Sequence, residues 1–419
     1  MENTSSSGPG PIKHDPFGAL RIRDFRYFVL ARFTLTMGIL IQSVVVEWQM
    51  WQITKDPLQL GLIGLAEALP FFCVALFAGH IADIISRKKV IQMATFFLVL
   101  GTVFLFYFSM DIHVNVLRFG SYPIYFAIAI TGLCRGFIGP SYSAFFAQLV
   151  AKNHYVNAAT WSSSTWQVAA VAGPATAGLL YGFFGPCISY AIDAGLILAS
   201  LIFIFFIPAR PAGKKDRSES VYESISAGIR FVFSNQVLLG ALSLDLFAVL
   251  FGGAVALLRI FSDQILHAGA TGLGFLRSAP AIGAVVVALS IAFFPIKKRA
   301  GRILLGNVAA FGVFTIAFAL SENFYLSFVL LAITGGVDNV SVVIRTTILQ
   351  LATPDEMRGR VSSVNSVFIG SSNEIGAFES GATAKLMGLI PSVIFGGVMT
   401  LLVVGTTAKV APMLRDMDL

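Results

Sequence analysis

Apolar runs of about twenty residues follow one another through nearly the whole of this 419-residue chain. A hydrocarbon layer about 30 Å thick takes about 20 helical residues to cross. Runs near 27–52, 58–82, 90–110, 121–147, 158–183, 187–208, 237–261, 271–295, 303–320, 325–350, 361–385 and 391–410 are of that order. Inside a bilayer only helices and closed barrels satisfy every backbone polar group. The ten-residue alternating segments of a barrel do not occur, so the runs predict twelve helices. Composition agrees: 56% of residues are hydrophobic, 12% are charged and the mean hydropathy is +0.80. That leaves too little polar surface for a water-facing exterior. The chain reads as an all-α polytopic membrane protein, and its opening "SSSGPGP" does not read as a signal peptide.

Lys and Arg set the predicted orientation. With an internal amino terminus, 21 of the 29 basic residues fall on the inner side, and only Lys55, Arg118 and Lys385 fall outside. By the positive-inside rule both termini are expected in the cytoplasm. The pI of 9.4 thus reports topology. No soluble segment is long enough to carry a clustered basic face, which excludes nucleic-acid binding.

The chain also repeats. At an offset of 210, Gly64, Pro70 and Lys88 fall on Gly274, Pro280 and Lys298, and Gly178 falls on Gly381 at an offset of 203. Two six-helix halves in the same orientation are expected. The organisation is an amino-terminal segment 1–26, a bundle 27–208, a linker 209–236, a second bundle 237–410 and a tail 411–419. Within the linker, Val221, Ile225, Ile229 and Val232 recur at helical spacing. They predict an amphipathic helix along the inner membrane surface.

Between the second and third runs stands "GHIADIISRKK". Arg87, Lys88 and Lys89 read as topological anchors. Asp83, at the last membrane turn, is costly there unless it faces protein, and is otherwise a solvated loop residue. Twelve helices, a six-helix duplication and this loop resemble the major facilitator superfamily along the whole chain. The superfamily loop signature G-x-x-x-D-R-x-G-R-K/R is matched by Gly79, Asp83, Arg87 and Lys88, while Ile84 and Ser86 depart from it. The resemblance implies a conformational latch in the first half only, since Phe293 stands where the second acid would be.

Two other stretches extend it. "AAVAGPATAG" is similar to the superfamily's antiporter motif through Gly173, Pro174 and Gly178. Pro174 removes a helix hydrogen bond and the small residues permit close packing, whether as a seal against leak or as a structural kink. "LATPDEMRGRVSSVNSVFIGSSNEIGAFESG" and "LRIRDFRYFVLARF" resemble the bacterial branch that contains the enterobactin exporter.

In the superfamily, spans 1, 4, 7 and 10 line a central cavity, spans 2, 5, 8 and 11 form the interface between halves, and the rest face lipid. Here the last set carries only Asp193 away from its ends; the others carry Arg32, Glu47, Glu67, Arg135, Asp245, Arg259, Arg277, Asp338, Arg345, Glu374 and Glu379. Buried charge in a bilayer must be paired or wet, so a shared aqueous cavity is expected. Arg32, Gln42, Arg135, Asp245, Asp338 and Arg345 are the substrate-cavity candidates. Asp338 and Arg345 share a face and should each seek a partner across the cavity, with Asp245 a partner for Arg345. Glu47 and Arg259 should snorkel, and Trp48 and Trp51 should form an interfacial belt. The resemblance aligns Arg135 with a membrane-embedded Arg that the superfamily relates to proton transfer; the other reading is a structural ion pair. The proton-coupling candidates are Glu374 first, then Glu67, Asp245, Asp338 and Arg135, because coupling needs a carboxylate that gains and loses a proton as its surroundings change.

Other chemistry is sparse. No G-x-x-x-x-G-K-S/T loop or G-x-S-x-G elbow appears, and the five His residues show no metal-ligand spacing. Cys73, Cys134 and Cys187 read as buried packing residues. No cofactor, metal or enzymatic activity is expected. The reading is a monomeric, proton-coupled exporter of small amphipathic organic molecules, siderophore- or drug-like, working by alternating access. The alternatives are an importer or lipid flippase on the same scaffold and, in another class, a membrane-embedded enzyme or a transporter-derived sensor.

Overall fold

The structure is a computed structural model describing residues 17–151, 154–209, 221–252, 254–294, 298–354 and 357–418. Among these the protein is helical without strands. The first half comprises α1 (Arg23–Thr54), α2 (Pro57–Ile84), α3 (Arg87–Met110), the short α4 (Ile112–Phe119), α5 (Tyr122–Leu149) and α6 (Tyr155–Phe205). After α7 (Val221–Ser234) the second half runs through α8 (Gln236–Gly252), α9 (Leu258–Ile260), α10 (Gly269–Phe293), α11 (Ala300–Ala319), α12 (Phe324–Ala352), α13 (Arg358–Met387), α14 (Leu389–Val410) and α15 (Pro412–Arg415). Ten stretches are long and apolar enough to cross a membrane. One of them, Asn157–Phe205, is 49 residues long and breaks at Gly185 (φ 75°, ψ −175°), making two crossings. The 30-residue α13 is long enough but too polar for that set. Twelve crossings are consistent with this arrangement.

Two elements depart from the sequence expectation, and the expected linker helix is placed by its contacts. α4 is an added helix between the third and fourth crossings. The seventh crossing is not one helix: α8 stops at Gly252, and a 3-10 turn, α9 and a π-helical turn over Phe261–Ile265 carry the chain on. α7 lies against α13 and α8, its Val232 buried with Leu242, Val361 and Val364, so it is docked on the second half while Ile229 and Phe233 stay exposed.

An even number of crossings puts both chain ends on one side, the terminal side; the other is the far side. Two close helix crossings join the halves toward the far side. At one, a Cβ on Gly178 of α6 would lie 2.6 Å from the Ala270 carbonyl oxygen and 2.8 Å from Gly274 Cα of α10. At the other, a Cβ on Gly381 of α13 would lie 2.7 Å from the Pro57 carbonyl oxygen and 2.9 Å from Gly61 Cα of α2. Glycine is needed at both, because backbones this close leave no room for a side chain. The two crossings are counterparts under the internal repeat. The motif residues Pro174 and Gly178 sit in the first, and Gly173 packs against Leu40 of α1.

Candidate functional site

Mid-membrane, α2, α5 and α13 bring three charged side chains together. Glu67 of α2 accepts from Arg135 of α5 in a direct ion pair. Gly132, one turn before Arg135, allows this approach: a methyl group there would run into the Glu67 backbone. One turn before Glu67, Gly64 packs against α13, where its Cβ would lie 3.1 Å from the Glu374 carbonyl oxygen and 3.4 Å from Glu374 Oε2. Glu374 thus enters the field of Glu67 and Arg135 from the opposite half.

A second pair completes the cluster. Arg277 of α10 donates to Glu47 Oε1 of α1 at 2.7 Å and to Ser43 Oγ at 3.2 Å, again joining the halves. Both pairs lie within electrostatic reach of Glu374. Among these five side chains three are carboxylates and two are guanidiniums, and a third guanidinium, Arg259, is within electrostatic reach of Glu47. This corrects the expectation for Glu47, which does not snorkel: a cation from the other half meets it first.

The far side is closed by polar contacts across the halves. Trp51 Nε1 donates to Asp263 Oδ2 at 2.7 Å, and Lys55 Nζ reaches the same oxygen at 3.3 Å. Lys385 pairs with Asp56 at 2.7 Å, and Ser278 Oγ donates to the Val171 carbonyl at 2.8 Å. Arg259 also does not snorkel. It is fully buried, lying over the Trp48 ring with Trp51 beyond, and 3.8 Å from Asp263. Trp48 and Trp51 are correspondingly buried in this closure and do not form an exposed belt. The π-helical turn aims Asp263 at them.

The terminal side is different. Ser163 and Ser164 of α6, Thr346 and Gln350 of α12, and Ser362, Ser366 and Asn373 of α13 are exposed within membrane crossings. Thr346, Ser366 and Asn373 turn their polar groups back onto carbonyls of their own helices at 2.8–3.0 Å, and together these side chains make the terminal half of α6, α12 and α13 polar. The run "SSVNSVFIGSSNE" carried this signal in the sequence. It is the polar stripe that keeps α13 out of the apolar set, and because its residues are mostly uncharged the pattern of charges does not reveal it.

The remaining candidates divide between the halves. Asp245 of α8 and Arg345 of α12 form the ion pair that their positions predict, with both side chains at least nine-tenths buried. Asp338 does not reach across the cavity. It borders a pocket of about 10 Å³ inside the second half, with Asp245, Asn307, Phe311 and Ser341, room for about one water. Arg32 of α1 donates to Ser162 Oγ of α6 at 2.6 Å.

Gln42 is not a cavity residue in this conformation. It is 1% exposed, donates to Thr102 Oγ1 at 3.1 Å and accepts from Thr131 Oγ1 at 3.2 Å. Two turns on, Gln49 repeats the pattern, donating to Ser109 Oγ at 2.7 Å and accepting from the Tyr190 hydroxyl at 2.7 Å. A polar seam therefore runs inside the first half along α1, α3 and α6. Asp193, expected on a lipid-facing crossing, is fully buried beside this seam, near Thr102 and with no cation paired to it among the described residues.

Of the latch candidates, the surroundings of Gly79 and the side chain of Asp83 lie outside what is described. Lys88 donates to the Phe205 carbonyl at 3.0 Å and to the Ile207 carbonyl, closing the carboxyl end of α6, where a cation also meets the helix dipole. Arg87 opens α3 beside it. Cys73 is exposed, contrary to expectation, whereas Cys134 is buried and Cys187 is intermediate.

Comparison with known proteins bears on this architecture. The chain is 27% identical over 389 residues to the enterobactin exporter of Shigella boydii serotype 18, covering 91% of this chain and 90% of that one. It is also 27% identical over 386 residues to the enterobactin exporter of Escherichia coli O1:K1, with the same coverage. Among solved structures it resembles a bacterial homologue of the human lysosomal transporter Spinster, in an inward-facing and unoccupied conformation, with a TM-score of 0.73, 13% identity and coverage of 95% and 99%. It also resembles the POT family transporter PepTSo, with a TM-score of 0.71, 12% identity and coverage of 95% and 99%. The sequence pattern of the transmembrane secretion effectors is matched from residue 14 to residue 419. The chain belongs to the transmembrane secretion effector family of major facilitator transporters.

Proposed function

We propose that this protein exports small amphipathic organic molecules across a bacterial inner membrane in exchange for protons. Both termini lie in the cytoplasm, the orientation that the distribution of Lys and Arg favours, and the polar terminal half of α6, α12 and α13 lines the inward-open mouth. Substrate enters it among the exposed Ser, Thr, Gln and Asn side chains of α6, α12 and α13. The two halves then rock about the central cluster to open the far side. The 27% identity to enterobactin exporters supports export and a siderophore-like substrate class.

The observation that carries the reading is the central cluster of Glu47, Glu67, Arg135, Arg277 and Glu374. Its members come from both halves, so its stability reports their relative position. Its five side chains hold one more carboxylate than guanidinium, and a proton on Glu374 evens them. A bound proton thus favours the state in which the cluster is assembled, and its loss frees the halves to move. Glu374 is the natural site because Glu47 and Glu67 each hold a guanidinium directly.

Everted membrane vesicles test the function. A pH gradient, acid inside, should drive uptake of a catecholate siderophore, a hydroxamate siderophore or an amphipathic dye, and an uncoupler should collapse it. Uptake that ignores the gradient in every case contradicts proton exchange.

A further inference from the structure

Lys55, Lys385 and Arg118 stand at the far-side ends of the helices, and two of them are paired: Lys55 with Asp263 and Lys385 with Asp56. Arg118 is the third. It is exposed at the end of α4, stacks over the Phe119 ring at 5.1 Å, and has no carboxylate partner among the described residues. Beside it lies a shallow, wide-open groove of about 610 Å³ on the surface, lined by Arg118 together with Phe104, Phe119, Tyr122 and Phe126. Its walls are aromatic, and its one charge is the guanidinium.

α4 has no buried residue, and its Val114 and Leu117 are 64% and 89% exposed. It begins just after α3 ends at Met110, and Gly120 (φ 60°) turns the chain into α5 at Tyr122. A short helix of this kind, placed between the ends of two crossings, lies at the boundary between hydrocarbon and water. There apolar side chains enter the acyl region, and Tyr and Arg stay at headgroup level.

We propose that this groove binds one anionic glycerophospholipid of the far-side leaflet, with Arg118 on the phosphate and an acyl chain along Phe104 and Phe126. A free phosphate would use only the guanidinium and leave the groove empty; a neutral apolar molecule would leave the guanidinium unpaired. Only a lipid that carries both groups meets both features. The site stands apart from the transport cluster and does not depend on the export reading.

Native mass spectrometry of the delipidated full chain in neutral detergent tests it, with added phosphatidylglycerol, phosphatidylcholine or inorganic phosphate. The wild type should retain one phosphatidylglycerol in preference to phosphatidylcholine, and inorganic phosphate should not displace it. Arg118→Ala should weaken that retention about fivefold, the weight of one basic residue at an anionic lipid surface, and Arg118→Lys should restore most of it. Arg118 is exposed, so these variants keep the fold, and an unchanged melting temperature verifies this. Equal retention of phosphatidylglycerol by the wild type and Arg118→Ala, equal retention of the two lipids by the wild type, or displacement by phosphate would overturn the proposal.

Discussion

At the scale of single residues, charge inside a bilayer is informative because each instance needs a reason. The reason depends on a partner that a linear sequence does not display. Asp245 and Arg345 could be paired from their positions, since both lie toward the terminal ends of their helices. Glu47 could not: its partner Arg277 lies 230 residues away in the other half. Breaking the Asp245–Arg345 pair tests whether it is structural. Asp245→Ala leaves a buried guanidinium uncompensated and should cost about 3–5 kcal/mol, whereas Asp245→Ala with Arg345→Leu should recover most of that. Thermal unfolding in detergent checks the order; equal losses in both variants would show that the pair is held by solvent. Asp193, buried without a cation among the described residues, should behave oppositely. Asp193→Asn removes a potential charge and keeps the shape, so the melting temperature should hold or rise, and a large fall would reveal a partner for the carboxylate.

At the scale of helices, the period and length of apolar runs showed most crossings, because a membrane span has one dominant requirement. What the runs hid were local breaks. The sequence over 254–265 continues the apolar run of α8 and is broken only by Arg259, Ser262, Asp263 and Gln264, yet it passes through 3-10, α and π geometry, a choice made by packing and invisible to hydropathy. Gly185 is the converse case, a break marked by a Gly-Pro pair. Its backbone lies in a region open essentially to glycine, and no atom stands within 4 Å of where a Cβ would project. Gly185→Ala should therefore cost about 1–3 kcal/mol from backbone strain alone, read as a lower melting temperature; no change would mean that the turn relaxes. Gly178→Val acts through contact instead. It forces α6 from α10 and should weaken the far-side closure, raising the reactivity of a cysteine placed at Ser43 toward a membrane-impermeant reagent added from that side. Unaltered reactivity would show that this crossing does not hold the halves together.

For the whole molecule, the duplication was legible because Gly64 and Pro70 recur as Gly274 and Pro280 at a spacing of 210 and Gly178 as Gly381 at 203, and the repeat places Gly178 and Gly381 at equivalent crossings. The conformation was not legible, since both states of a rocking transporter share one sequence and one set of spans. Nor was the central cluster, which exists only where α1, α2, α5, α10 and α13 converge. The central claim is that a proton on Glu374 stabilises the state with this cluster assembled. Double electron–electron resonance between spin labels tests it without a known substrate, using one pair at Ser163 and Ser362 on the terminal side and another at Val114 and Glu322 on the far side. Acid pH should lengthen the terminal-side distance and shorten the far-side one. Alkaline pH should do the reverse, because ionised Glu374 repels Glu67 and Glu47. Glu374→Gln should hold the acid pattern at every pH. A Glu374→Gln protein that follows pH as the wild type does would contradict the account.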